Sequence, residues 1–172
     1  MNKYLSFVLL FFLICSCNSE KGGGGISEKN LKKEIIKSIE EYISNGSDKI
    51  KQSDDGKENI KLSAGKIDYL ILFENMYIGD IDGNNFKDII VPVARLVGGR
   101  PVMKEHIFFI NDGGNYRRDT IIADIVNILK VEEGEIYAEV SKVGMDSPGY
   151  GCKECMEIKK YSYRGGRLGV VQ

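Results

Sequence analysis

Apolar residues fall at Leu31, Ile35, Ile36, Ile39, Tyr42 and Ile43, steps of mostly three and four that line one face of a helix. Lys29, Lys32, Lys33, Lys37, Glu40 and Glu41 take the opposite face. Ser27 can cap the first turn and Asn45-Gly46 supplies a left-handed stop, so the pattern predicts an amphipathic helix over residues 28–44. A stripe of this kind covers the domain's own core, although a partner-binding helix would carry the same one.

Residues 47–65 are polar and charged, with only Ile50, Ile60 and Leu62 to bury, and read as a long surface connection with at most a short strand at its end. From Lys66 onward the chain turns from polar to strongly apolar. Residues 67–73 and 76–78 are strand-like, and 88–96 form a strand containing Pro92. Proline cannot donate to a ladder, so that strand is expected to border the sheet or to carry a bulge. Gly98-Gly99-Arg100-Pro101 is a turn, and residues 106–110 are apolar nearly throughout, the mark of a strand buried on both faces. Strands are predicted over 116–123, 125–131, 135–143, 157–163 and 168–171, with Asn111-Asp112-Gly113-Gly114-Asn115 and Arg164-Gly165-Gly166-Arg167 as hairpin turns. The expected fold is α+β, one N-terminal amphipathic helix packed on a bent, mainly antiparallel sheet of seven to eight strands.

Ahead of the helix, Asn2-Lys3 precedes an apolar run over residues 5–14 that is too short to span a bilayer and has the form of a signal peptide. The next residues, Ile14-Cys15-Ser16-Cys17, resemble the bacterial lipobox, with an aliphatic residue three before and a small residue one before the cysteine. The resemblance implies that residues 1–16 are a lipoprotein signal and that Cys17 is diacylated and becomes the mature N-terminus. Each buried methylene of the acyl chains is worth roughly 0.8 kcal/mol, so two or three chains anchor firmly. Residues 17–26, with Gly22 to Gly25 in a row, then form a flexible tether, and 27–172 a single α+β domain. Asn18, where an Asp would resemble an inner-membrane retention signal, favours the outer membrane of a bacterial cell envelope.

Charge narrows the partners. The chain has 24 basic and 25 acidic residues and no basic stripe with interleaved aromatics, so nucleic acid is not an expected partner. Contact with the membrane is expected through the N-terminal lipid, and a protein or glycan partner through the folded part.

The stretch richest in chemistry is Gly79-Asp80-Ile81-Asp82-Gly83-Asn84-Asn85-Phe86-Lys87-Asp88, followed by Ile89-Ile90-Val91. Asp80, Asp82, Asn84 and Asp88 stand at positions 1, 3, 5 and 9 of a loop, and the backbone carbonyl of Phe86 at position 7, the spacing with which a short segment wraps calcium. Gly83, Asn84 and Asn85 are the residue types that reach left-handed backbone most cheaply. Position 6 is Asn85 rather than glycine and position 12 is Val91 rather than a bidentate Glu, so the loop is not an EF-hand. The same residues would also make an Asx-rich turn whose side chains cap backbone amides.

From Gly79 to Val93 the pattern resembles the FG-GAP or VCBS type of repeat, whose Asp/Asn/Gly turn and following apolar strand bind calcium in β-rich extracellular proteins. It occurs once, and one blade cannot bury its own faces, so a propeller is not expected. More loosely, the mature chain resembles small uncharacterised bacterial lipoproteins.

With Cys15 lost with the signal and Cys17 acylated, Cys152 and Cys155 remain, and in an exported protein they most simply form one disulfide. Redox chemistry of the thioredoxin kind would need a helix N-terminus at the first cysteine, and zinc two more ligands where His106 is the only histidine. His106 reads as a hydrogen-bonded strand-end residue. No nucleophile elbow, phosphate loop, metalloprotease helix or dinucleotide fingerprint is present. The expectation is therefore a non-catalytic, membrane-anchored envelope lipoprotein, a binding or accessory module with a structural Ca2+ at Asp80, Asp82, Asn84, Phe86 and Asp88. The alternative is an inhibitor or immunity-like lipoprotein that blocks an envelope enzyme with a loop such as residues 144–154.

Overall fold

The computed structural model describes residues 27–44, 49–54, 59–123, 125–132, 134–144, 147–150 and 152–171. The signal, Cys17, the tether and the Asn45-Gly46 stop lie outside the described residues. Helix α1 runs over Glu28–Ile43, with Ser27 as its N-cap accepting from the Asn30 amide. Ile35 and Ile39 are fully buried, and Leu31, Ile36, Tyr42 and Ile43 flank them, as the three-and-four spacing requires.

Among the described residues eleven strands follow, in two antiparallel sheets rather than the single sheet of seven to eight strands expected. The first sheet holds β1 (Lys51–Asp54), β2 (Ile60–Ala64), β3 (Ile67–Ile71), β4 (Tyr77–Gly79), β5 (Asp88–Val97), β6 (Arg100–Asn111) and β7 (Tyr116–Ile122). Their order is β1-β2-β3-β5-β6-β7, with β4 paired to β5 beyond the end of β3. The second holds β8 (Ile125–Glu132), β9 (Glu135–Ser141), β10 (Met156–Arg164) and β11 (Arg167–Val170), in the order β11-β10-β9-β8.

Side-chain alternation explains the layering. Along β5 and β6, Ile89, Val91, Val93, Ile107 and Phe109 join α1, Leu62, Ile71 and Phe73 in one core. Their neighbours Ile90, Phe108 and Ile110 face the second sheet, where they meet Ile136 and Tyr163. The Phe108 and Tyr163 rings stack with centroids 5.8 Å apart. The first sheet is thus the shared middle layer, helix on one face and second sheet on the other, which is why residues 106–110 are apolar on both sides. Tyr77 ties the layers at one point, its hydroxyl accepting from the Val131 amide at 2.6 Å.

Pro92 neither ends β5 nor puts it at an edge. Both flanks of β5 are paired, but its β3/β4 neighbour is interrupted by a 3-10 turn at Phe73–Asn75. The Pro92 carbonyl accepts from the Leu72 amide at 3.0 Å. Because the N–H and C=O of one strand residue point the same way, the missing donor faces that interruption, where no partner acceptor continues the ladder. The β5–β6 connection is a two-residue hairpin, with Gly98 and Gly99 at φ +59° and +77°; Arg100 and Pro101 already belong to β6. Residues 47–65 hold two strands rather than a mostly strandless connection, β1 lying fully exposed against β2.

Candidate metal centre

The acidic turn leaves the end of β4 at Gly79 and re-enters the sheet at Asp88, the two residues facing each other across the β4–β5 ladder. Ile81, inside the turn, is buried in the core with Ile90, Phe108, Ile110, Ile136 and Tyr163 and plugs the loop into the fold. Gly83 at φ +81° and Asn85 at φ +69° take left-handed backbone, while Asn84 does not. Asn85 is the only non-glycine residue with positive φ among the described residues, and it stands at the loop position where calcium hands carry glycine.

Asp88 has no exposed surface. Its Oδ2 accepts from the amides of Ile81 at 2.7 Å and Asp82 at 3.3 Å, and its Oδ1 from the Asn111 amide at 2.8 Å. Burial raises the pKa of this carboxyl above 3.8; the Asn111 and Ile81 amides oppose that shift and the Asp82 charge adds to it. Asp80 accepts from the amides of Gly83, Asn84 and Asn85, and Asp82 from the amide and side chain of Asn84. The capping role foreseen for an Asx-rich turn is therefore filled.

The carboxylates also converge. One oxygen from each of Asp80, Asp82 and Asp88 lies within 4.8 Å of the other two, a cluster that could hold a metal ion. A carboxylate can accept about four hydrogen bonds; these three accept three, two and three, so each keeps free lone pairs. Asn84 is turned differently from the expected ligand pose. Its side-chain oxygen accepts from the Phe86 amide at 2.7 Å, and its NH2 donates to Asp82 and to the Asn111 carbonyl. The Phe86 ring is 48% exposed.

Asn111, at the end of β6, is a member of this site that sequence reasoning missed. It donates to Asp88 through its amide and to the Lys87 carbonyl through its side chain, accepts from Asn84, and holds its own hairpin through the Gly114 amide at 2.6 Å. Its place in an Asn/Asp/Gly-rich hairpin marked it as a turn residue, and nothing local signals a partner 23 positions away.

Cys152 and Cys155 are disulfide-bonded as expected, at the start and end of a 3-10 turn. The Cys155 carbonyl accepts from the Lys142 amide at 2.8 Å, which pins the loop to the end of β9. His106 departs from expectation: it lies inside β6, not at a strand end, is 1% exposed, and its Nδ1 has no hydrogen-bond partner. Burial, with the Lys104 charge beside it, pushes its pKa down to about 3. No helix among the described residues is long and apolar enough to cross a membrane. No family model, curated protein or solved structure matches the chain.

Proposed function

We propose that this chain is a lipid-anchored, non-catalytic binding module of a bacterial cell envelope, and that its Asp80–Asp82–Asp88 turn takes one Ca2+ as a structural ion. The observation that carries the metal reading is the convergence of three carboxylates, one of them fully buried, on a common point. Two oxygens on one calcium, with bonds of about 2.4 Å, can be at most about 4.8 Å apart. The three carboxylate oxygens lie within 4.8 Å of one another, inside that limit. Hard oxygen donors and no histidine or thiol in the set suit calcium rather than zinc. The Phe86 carbonyl, the Asn84 side-chain oxygen after rotation, and waters would complete the shell. An ion there removes the mutual repulsion of the carboxylates and offsets the cost of ionising Asp88 in a dry place. The anchor reading rests on the lipobox-like Ile14-Cys15-Ser16-Cys17, and the balanced charge supports a protein or glycan partner rather than nucleic acid.

Thermal unfolding with calcium and with chelator tests the site. At a hundredfold excess over its dissociation constant, one bound ion stabilises by roughly 2.7 kcal/mol. An Asp80→Ala, Asp82→Ala double variant should fold and lose that response. No shift at millimolar calcium, or the same shift in the double variant, removes the ion from the proposal. For the anchor, Cys17→Ser should move the protein from the membrane pellet to the soluble fraction, and a variant that stays membrane-bound sinks that part.

A further inference from the structure

A second feature lies away from the acidic turn, where the two sheets part. A cleft of about 340 Å3 opens between β5 and β6 on one side and β8 on the other. Lys104 and His106 are two apart on β6 and so present the same face into it; Ile90, Pro92, Ile128 and Leu129 line the rest of its walls, with Asn75, Tyr77 and Asn127. This volume is at the small end of the range for small-molecule sites.

The polar groups of the cleft are incompletely matched. The Lys104 ammonium donates to the Val126 carbonyl at 2.9 Å and to the Asn127 side-chain oxygen at 3.0 Å, both neutral acceptors. An ammonium has three donors. The third meets no acceptor among the described residues, and no carboxylate there forms an ion pair with Lys104. The Glu139 charge acts on Lys104 without forming an ion pair with it, and Asn127 stands between them, its NH2 donating to Glu139 at 2.8 Å. Next to it the buried His106 leaves Nδ1 unpaired. A half-buried cation held only by neutral acceptors and a buried ring nitrogen with no protein partner, two residues apart on one face, are polar groups that favour a polar ligand between them. The remaining wall is apolar, and Leu129 stands 45% exposed at β8 with no core to cover it.

We propose that this cleft binds a small organic monocarboxylate, its head on the third donor of Lys104 and its apolar body against Ile90, Ile128 and Leu129. One ammonium matches one negative charge. A phosphate would bring nearly two, beside Glu139 and with no second cation to answer them. His106 is neutral and completes the polar end as a hydrogen-bond partner rather than as a charge.

His106 is the only histidine in the chain, so its ring-proton resonance is a unique reporter of the cleft. Titrating the protein with sodium butyrate should shift that resonance saturably in the millimolar range, and butyramide, the same size without the charge, should not. Lys104→Met, which keeps the length of the stem, should weaken butyrate by about tenfold or more, the loss expected for a hydrogen bond to a charged group. Leu129→Glu sits on an exposed position, leaves the fold unloaded, and should weaken butyrate as well. No saturable shift with butyrate, an equal response to butyramide, or full affinity in folded Lys104→Met overturns the proposal. Should Lys104→Met fail to fold, the butyrate–butyramide comparison and Leu129→Glu decide it alone. None of these readouts involves calcium.

Discussion

Two buried ionisable residues, His106 and Asp88, make stability depend on pH with opposite signs. The His106 pKa falls from 6.5 to about 3 on folding, so the unfolded chain takes up a proton that the fold refuses. The stability it contributes is complete above 6.5 and is lost as pH falls toward 3, by up to about 1.4 kcal/mol per pH unit. Urea unfolding of wild type and His106→Gln across this window should show the extra slope in wild type alone, and parallel curves would refute it. Asp88 moves the other way. Its raised pKa means the fold favours the neutral carboxyl, so in chelator its contribution is greatest below 3.8 and declines as pH rises through the folded value. Calcium needs the ionised form, and its affinity should therefore drop as pH falls from neutrality through that range, measurable by calorimetry. Asp88→Asn tests the same residue in the absence of metal. An amide can satisfy fewer of the three backbone N–H groups now bound there, and each one orphaned costs about 1–3 kcal/mol.

At the scale of elements, α1 is held by the packing of Ile35 and Ile39 more than by its own propensity, since an isolated helix of 16 residues is marginal in water. Ile39→Ala should cost about 2–5 kcal/mol, whereas Lys37→Ala, on the exposed face, should stay within about 0.5 kcal/mol in chemical denaturation. Equal effects would place the helix off the sheet. The helix was legible in the sequence because its stripe has one period and one cap. Strand β1 was not, because its four residues are all exposed and leave no alternation to read. Proline led to a border or a bulge for β5: the β5–β6 ladder does shift register between Arg95 and Leu96, but at Pro92 itself an interrupted neighbour accommodates the missing donor as well as an edge does. The apolar run around Phe108 gave burial on both faces correctly, but it could not say that the second cover is another sheet rather than the bend of the first. In the acidic turn, spacing sufficed to bring Asp80, Asp82 and Asp88 together, since a loop this short has few ways to close. The orientation of Asn84 and the part played by Asn111 depend on β6 returning alongside, which no local pattern encodes.

The whole molecule is one stack of helix, first sheet and second sheet, and its middle layer cannot stand uncovered. Ile90, Phe108 and Ile110 have almost no exposed surface only because Ile136 and Tyr163 lie across them. A chain ending after residue 123 would keep α1 and β1 to β7 but turn that row of side chains to solvent. Burying a large apolar side chain is worth about 1.5–3 kcal/mol, so losing the cover from these three alone removes a sizeable part of the 5–15 kcal/mol that holds a domain together. We therefore expect the truncated chain to bind a hydrophobic dye and to lack a cooperative transition, while the full chain unfolds in one step by both near-ultraviolet dichroism and fluorescence. Two separate transitions in the full chain, or a cooperative and dye-silent truncated form, would mean that the second sheet is an independent unit. In that case the cleft at Lys104 and His106 would lie at a boundary between two domains instead of within one core.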